Sequence, residues 1–253
     1  MTTTPLAVGW SDDGVCTVTL NRPGAGNALS ADLVGALEAA LDDAAARRPR
    51  LLVLRGEGRH FCTGFDLARL DDESDDSLLA RFCRIELMLQ KVHRAAFPTL
   101  AIAHGRTVGA GADLFAACAH RLAAPGTQFA FPGASGFDLV LGTRRLAHRV
   151  GVERARRWVE TGAPIGLDDA LASGLATGVL ADASSTGDIA RCAASQPQRA
   201  GANAWLGSAL DAADPVHDHV DLALLVRSAA VRGLKARVAA YVERNRQRSS
   251  FSP

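Results

Sequence analysis

An α/β fold is what the sequence predicts, and three observations predict it. Short apolar runs recur at Val15–Leu20, Leu51–Leu54 and Thr99–Ala103. Between them lie segments whose apolar residues return every three or four positions. Each run is also followed by a glycine-bearing turn. Strand, helix and strand thus alternate through the first two thirds of the chain, as in a sheet joined by crossover helices.

The elements follow in order. Val15–Leu20 is a strand that stops at the turn NRPGAGN, after which Ser30 is placed to cap a helix. Leu33, Val34, Leu37, Ala40, Leu41 and Ala44 form the apolar stripe of that helix. Leu51–Leu54 is apolar throughout, as in a parallel strand covered on both faces. A second helix runs from Ser77 to about Arg94, with Leu78, Phe82, Ile85, Leu89 and Val92 on one side. Thr99–Ala103 is the next strand, and GRTVGAGADLFAACAHR turns into a helix of small residues starting near Ala110. Further β signals lie at Arg121–Ala124 and Gln128–Phe131. From Val152 onward the pattern is helical, broken at Gly162, Gly174 and Gly178, and the polar end RQRSSFSP reads as unstructured.

Composition narrows the function classes. The chain has 253 residues, 48% hydrophobic and 22% charged, enough for one well-packed domain or a domain with an appendage. A net charge of +1 gives no electrostatic case for nucleic acid or an acidic membrane as partner. The acidic run Asp71–Asp76 has no histidine beside it and reads as a solvated loop rather than a metal site. Five cysteines, Cys16, Cys62, Cys83, Cys118 and Cys192, are scattered without a C-x-x-C pair, so neither a zinc site nor a disulfide framework is expected. MTTTPLAVGW lacks a basic segment followed by an apolar one, and no apolar stretch is long enough to span a bilayer. The expectation is a soluble cytoplasmic protein. His60, His93, His104 and His120 lack metal-ligand spacing and read as structural.

Two glycine turns carry the chemistry. GRTVGAGADL, residues 105–114, lacks the third glycine of a dinucleotide fingerprint, because position 114 is Leu. What it offers is a small-residue turn into a helix whose first N–H groups are unpaired and can face an anion or a polarised carbonyl. Asp113 lies in the first turn of that helix, either beside the bound atom or as a surface acid complementing the dipole. GEGRHFCTGFDL, residues 56–67, is a second such turn after a buried strand. Two strand-end turns, each presenting a backbone N–H, can together hold the oxygen of a thioester or acyl group.

Six stretches in order resemble the crotonase, or enoyl-CoA hydratase/isomerase, superfamily over nearly the whole chain. They are NRPGAGNALS (21–30), LLVLRGEGRHFCTGFDL (51–67), PTLAIAHGRTVGAGADLFAACAHRLAA (98–124), TQFAFP (127–132), LGTRRL (141–146) and TGAPIGLDDALASGLATGV (161–179). The resemblance implies a spiral of ββα units over residues 1–198. It implies a helical C-terminal region, 199–253, that forms a homotrimer or a dimer of trimers. It also implies an acyl-CoA thioester substrate, with coenzyme A entering as part of the substrate and no other cofactor. On the matching positions, Phe65 and Ala110 would supply two oxyanion N–H groups. Arg59, Thr63, Asp66, Leu67 and Ala68 would line the coenzyme A path. AAYVERNR (239–246) is similar to the family's C-terminal motif, so Tyr241 and Arg244 would meet the acyl chain and the nucleotide phosphates. The other reading of those two is a surface helix with a basic face.

The acids depart from the family. Its hydratases carry two glutamates; here the first position is Asp113, and the second falls on Gly133, which cannot transfer a proton. Asp138, in the apolar run GFDLVL, is the second candidate proton carrier, or else a salt-bridge partner for Arg144 or Arg145. Isomerisation or hydration of a double bond through an enolate is the expected activity. A binding-only member and a thioester hydrolase or carbon–carbon lyase are the alternatives.

Overall fold

The computed structural model describes residues 4–180, 189 and 215–250. A six-stranded sheet runs in the order β1 (Leu6–Trp10), β2 (Val15–Leu20), β3 (Leu51–Gly56), β4 (Thr99–Ala103), β6 (His120–Ala123) and β8 (Gly178–Val179). β1 and β2 are antiparallel; all other neighbours are parallel, with Val15 opposite Leu51 and Leu100 opposite His120. β5 (Arg106–Val108) and β7 (Gln128–Ala130) pair parallel as a second, smaller sheet. Single bridges extend it, joining Leu29 to Phe65, Cys62 to Thr107 and Phe129 to Ile165. Each turn of chain therefore gives a strand to the larger sheet, a short segment to the smaller one, and then a helix.

The helices form for local reasons. In α1 (Ala31–Arg47) the Ser30 hydroxyl accepts from the Leu33 N–H, and Leu33, Val34, Leu37, Leu41 and Ala44 are buried. α2 (Asp75–His93) begins two residues before the expected Ser77. Ser74 is its cap, and Ser77 at the third position completes a reciprocal capping box. The acidic run is therefore not a plain loop. Leu70–Asp72 is a 3-10 turn, and Asp75 and Asp76 open α2, where carboxylates favour the positive end of the dipole.

α3 (Ala110–Ala117) is buried along its whole length. Then follow α4 (Gly133–Phe137), α5 (Thr143–Val150), α6 (Val152–Thr161), α7 (Leu167–Ala172), α8 (Pro215–Ala229) and α9 (Leu234–Ser250). The polar end is helical through Ser250 rather than unstructured, as the last turns of α9. The proposed boundary between residues 198 and 199, and Cys192, lie outside the described residues.

One core lies between the sheet and α1, α2 and α3, including Leu20, Leu37, Leu54, Leu89 and Phe115. Val15, Leu51, Val53, Leu100 and Ile102 form a second on the sheet's other face, which is why Leu51–Leu54 is apolar throughout. A third joins α2 to α8 and α9 through Leu78, Phe82, Leu225, Leu234 and Val238. Among the described residues, no helix is long and apolar enough to cross a membrane.

Candidate active site

The two glycine turns meet. After β3, Gly64 takes φ +96°, and its carbonyl accepts from the Leu29 N–H at 2.7 Å. The Asp66 N–H returns to the Leu29 carbonyl at 3.3 Å. The bridge to Leu29 thus uses the groups on either side of Phe65, and the Phe65 N–H has no acceptor among the described residues. After β5, Gly109 takes φ +55° and donates to the Ala130 carbonyl at 2.8 Å. Ala110 then opens α3, leaving its N–H as one of the unpaired donors of a helix start.

Missing side chains make the meeting possible. A Cβ on Gly64 would lie 2.7 Å from the Val108 carbonyl oxygen and 3.5 Å from the Ala110 nitrogen. A Cβ on Gly111 would lie 2.3 Å from the Cys62 carbonyl oxygen, closer than any real contact. The Phe65 ring is held from both sides, stacked on Phe82 at 4.3 Å and under the Arg81 guanidinium at 4.1 Å.

Phe65 and Ala110 both line a cavity of about 80 Å³. Thr63, Leu67, Asp113, Gly133 and Thr143 share it, and Phe82, Phe131, Phe137, Leu139, Val159 and Tyr241 supply most of its apolar wall. Asp113 is the carboxyl among these lining residues. It is 5% exposed, and among the described residues no donor reaches its carboxylate. Burial holds its pKa well above the usual carboxylate range; Arg145 opposes this and Glu86 adds to it. Its Oδ1 would lie 2.3 Å from a Cβ on Gly142, which has φ +65° and precedes α5. Only glycine leaves the acid that room.

The other expected residues are distributed differently. Asp138 is exposed, takes φ +57° at the end of α4, and does not line the cavity. The chain leaves α4 through a left-handed residue there, and Asp138 lies at the surface. Its alternative partners are engaged elsewhere: Arg144 bonds Asp221 at 2.7 Å, and Arg145 bonds Glu86 through both terminal nitrogens at 2.8 and 2.6 Å. Thr63, Leu67 and Tyr241 line the cavity with Phe65, Ala110 and Asp113, whereas Arg59 and Ala68 are exposed outside it. Asp66 pairs with Arg22 at 2.7 Å and accepts from the Ala68 N–H at 3.0 Å. Arg244 donates to the Gly136 carbonyl at 2.6 Å and braces α4 from α9.

Sequence reasoning missed Glu86, Gly142 and Thr143, and considered Arg145 only as a partner for Asp138. Glu86 had left a signal: a charge beside Ile85 on the apolar stripe of α2. Burial pushes the Cys62 thiol up to about 12, so it is no nucleophile near neutral pH. His104 Nε2 lies 3.0 Å from the Gly58 carbonyl, and His60 Nδ1 accepts from the Arg106 N–H at 3.1 Å. Among the described residues, no group of three or more His, Cys, Asp or Glu is placed to hold a metal.

Comparison with known proteins agrees with this architecture. The enoyl-CoA hydratase/isomerase family profile matches residues 15–238. A Mycobacterium leprae protein named "Probable enoyl-CoA hydratase echA6" is 35% identical over 181 residues, covering 68% of this chain and 70% of that one. Its Mycobacterium tuberculosis namesake is 35% identical over 188 residues, covering 72% and 74%. A crystal structure from Bordetella parapertussis, assigned to the enoyl-CoA hydratase/isomerases, superposes with a TM-score of 0.87 at 39% identity, covering 95% of this chain and 99% of that one. With its crotonase-type architecture and a profile match spanning most of its length, the chain belongs to the enoyl-CoA hydratase/isomerase family.

Proposed function

We propose that this enzyme isomerises the double bond of an enoyl-CoA thioester, using Asp113 as its one proton carrier. The Phe65 and Ala110 N–H groups receive the thioester oxygen, which gains negative charge as the α-proton leaves. The Asp113 carboxylate takes that proton from C2 of a 3-enoyl thioester and returns it to C4, and the double bond moves into conjugation. One group removes and restores one proton, so atoms and charge balance without a second acid.

The observation that carries this reading is Asp113 alone beside two unpaired N–H groups in a largely apolar cavity. Hydration needs a base for water and an acid for carbon, and Gly133 supplies neither. Thr63, Leu67 and Tyr241 line the acyl and pantetheine path in the same reading. Coenzyme A is part of the substrate and no other cofactor is invoked. In the same reading the enzyme works in the cytoplasm as a homotrimer or a dimer of trimers.

Incubation with a 3-enoyl-CoA tests the reaction. Conjugated-thioester absorbance should appear without change in mass. A gain of one water would instead make the enzyme a hydratase. Acyl-CoA binding with no change across a series of enoyl chain lengths would favour the binding-only alternative.

A further inference from the structure

Beneath Asp113 lies a second carboxylate that the cavity never sees. Glu86, on α2, is 1% exposed at its side chain, and Arg145, on α5, is 4% exposed. The two terminal nitrogens of Arg145 close on the two oxygens of Glu86, and Gln90 adds a third donor to Oε1 at 2.9 Å. Gln90 also reaches the Asp218 carbonyl on α8 at 3.2 Å, which ties the pair to the helical tail. The Arg145 Nε is buried and finds no acceptor among the described residues. Asp113 sits against Gly142 at the head of the helix that carries Arg145, yet receives no hydrogen bond from it.

The protein thus places a guanidinium near its proton carrier and spends both terminal nitrogens on a different acid. A carboxylate beside an uncommitted guanidinium is a weak base. One beside a guanidinium already neutralised, in a dry pocket, is a much stronger one.

We propose that Glu86 and Arg145 are positioning residues for Asp113. By holding the Arg145 fork closed, Glu86 withholds the counter-charge that would otherwise make Asp113 too weak a base for a carbon-bound proton. This rests on Asp113 being the proton carrier. Arg145 and Glu86 are the charged groups that reach Asp113 from the elements packed against α3. On those same elements, Arg149 is turned to the carbonyls of Ala116 and Cys118, Arg144 is paired with Asp221, and Arg106 on β5 is exposed.

The experiment is the pH profile of kcat/KM for 3-enoyl-CoA conversion. It is paired with the infrared band of a protonated carboxyl, assigned by its loss in Asp113→Asn and followed across pH without substrate. In Glu86→Gln the Arg145 charge is released toward Asp113, so the acidic limb and the band should both move down by about one to three pH units. In Arg145→Met, Glu86 is left unopposed and both should move up. In the double variant Glu86→Gln/Arg145→Met neither charge remains, and both should return close to wild type.

Loss of rate with unmoved limbs and an unmoved band would make the pair purely structural and overturn the proposal. If one single variant does not fold, the other and the double still give opposed expectations. Full activity in Asp113→Asn would refute the proton-carrier reading itself. An inactive Asp113→Asn combined with unshifted Glu86→Gln would refute only the present inference.

Discussion

At the scale of single residues, Asp113 imposes a cost that its own removal should reveal. Its pKa is raised by burial, so the folded protein binds this proton more tightly than the unfolded chain does. The penalty is absent below the ordinary carboxylate pKa. It grows as pH rises toward the folded value and is constant above it, at about 1.4 kcal/mol for each unit between the two. Asp113→Asn should therefore unfold at a higher temperature than wild type at pH 8, with the gap closing as the solution is acidified. Calorimetry across pH measures this, and a variant less stable at every pH would contradict it. The position of Asp113 was legible in the sequence, because glycines and alanines just before an acid describe a helix start that something must approach. The fate of Asp138 was not. Apolar neighbours suggest burial, but a left-handed backbone at the end of a five-residue helix decides where the side chain points. That conformation carries only a weak sequence signal, the tolerance of aspartate for the left-handed region, and the apolar neighbours outweighed it.

At the scale of elements, the head of α3 separates binding from architecture. Proline is well tolerated at the first position of a helix, where the N–H has no partner in any case. Ala110→Pro should leave the fold and its circular dichroism intact. It deletes one N–H and fills part of the space before it, and kcat should fall by about a hundred- to a thousandfold. Unchanged turnover would show that no oxygen is held there. Strands β3 and β4 were legible as apolar runs because both faces are covered, and β2 by its alternation, with Thr17 and Thr19 half-buried on one face. β1 was not, since most of its residues are exposed along an edge. β5 and β8 are three and two residues long, too short for any period to show. The small sheet to which β5 belongs is a product of tertiary pairing, not of local preference.

At the scale of the whole molecule, the chain's last helix returns to close its first site. Tyr241 lines the cavity and meets the Phe137 ring edge-on at 5.3 Å, while Arg237 donates to the Phe137 carbonyl at 3.1 Å. The start of α9 is held by Asp75, which accepts from the Gly233 and Lys235 N–H groups at 2.9 and 2.7 Å. These backbone donors, Lys235 foremost, hold its carboxyl below the usual range. The contribution is in place above the ordinary carboxylate pKa and is lost as pH falls through the lower folded value. Asp75→Ala should therefore speed amide exchange in α9 at neutral pH, and wild type should approach that behaviour only in strong acid. Equal exchange in both proteins at pH 7 would show that α9 is held by its apolar face alone. The close approach of Gly111 to the Cys62 carbonyl has a consequence for substitution. The two turns that carry the Phe65 and Ala110 N–H groups are held together backbone to backbone, and a single methyl group at residue 111 would push them apart. On the opposite wall, a Cβ at Gly133 would lie 3.0 Å from the Leu139 carbonyl oxygen, a contact that a small shift relieves. Substitution is therefore more readily accommodated at residue 133 than at residue 111.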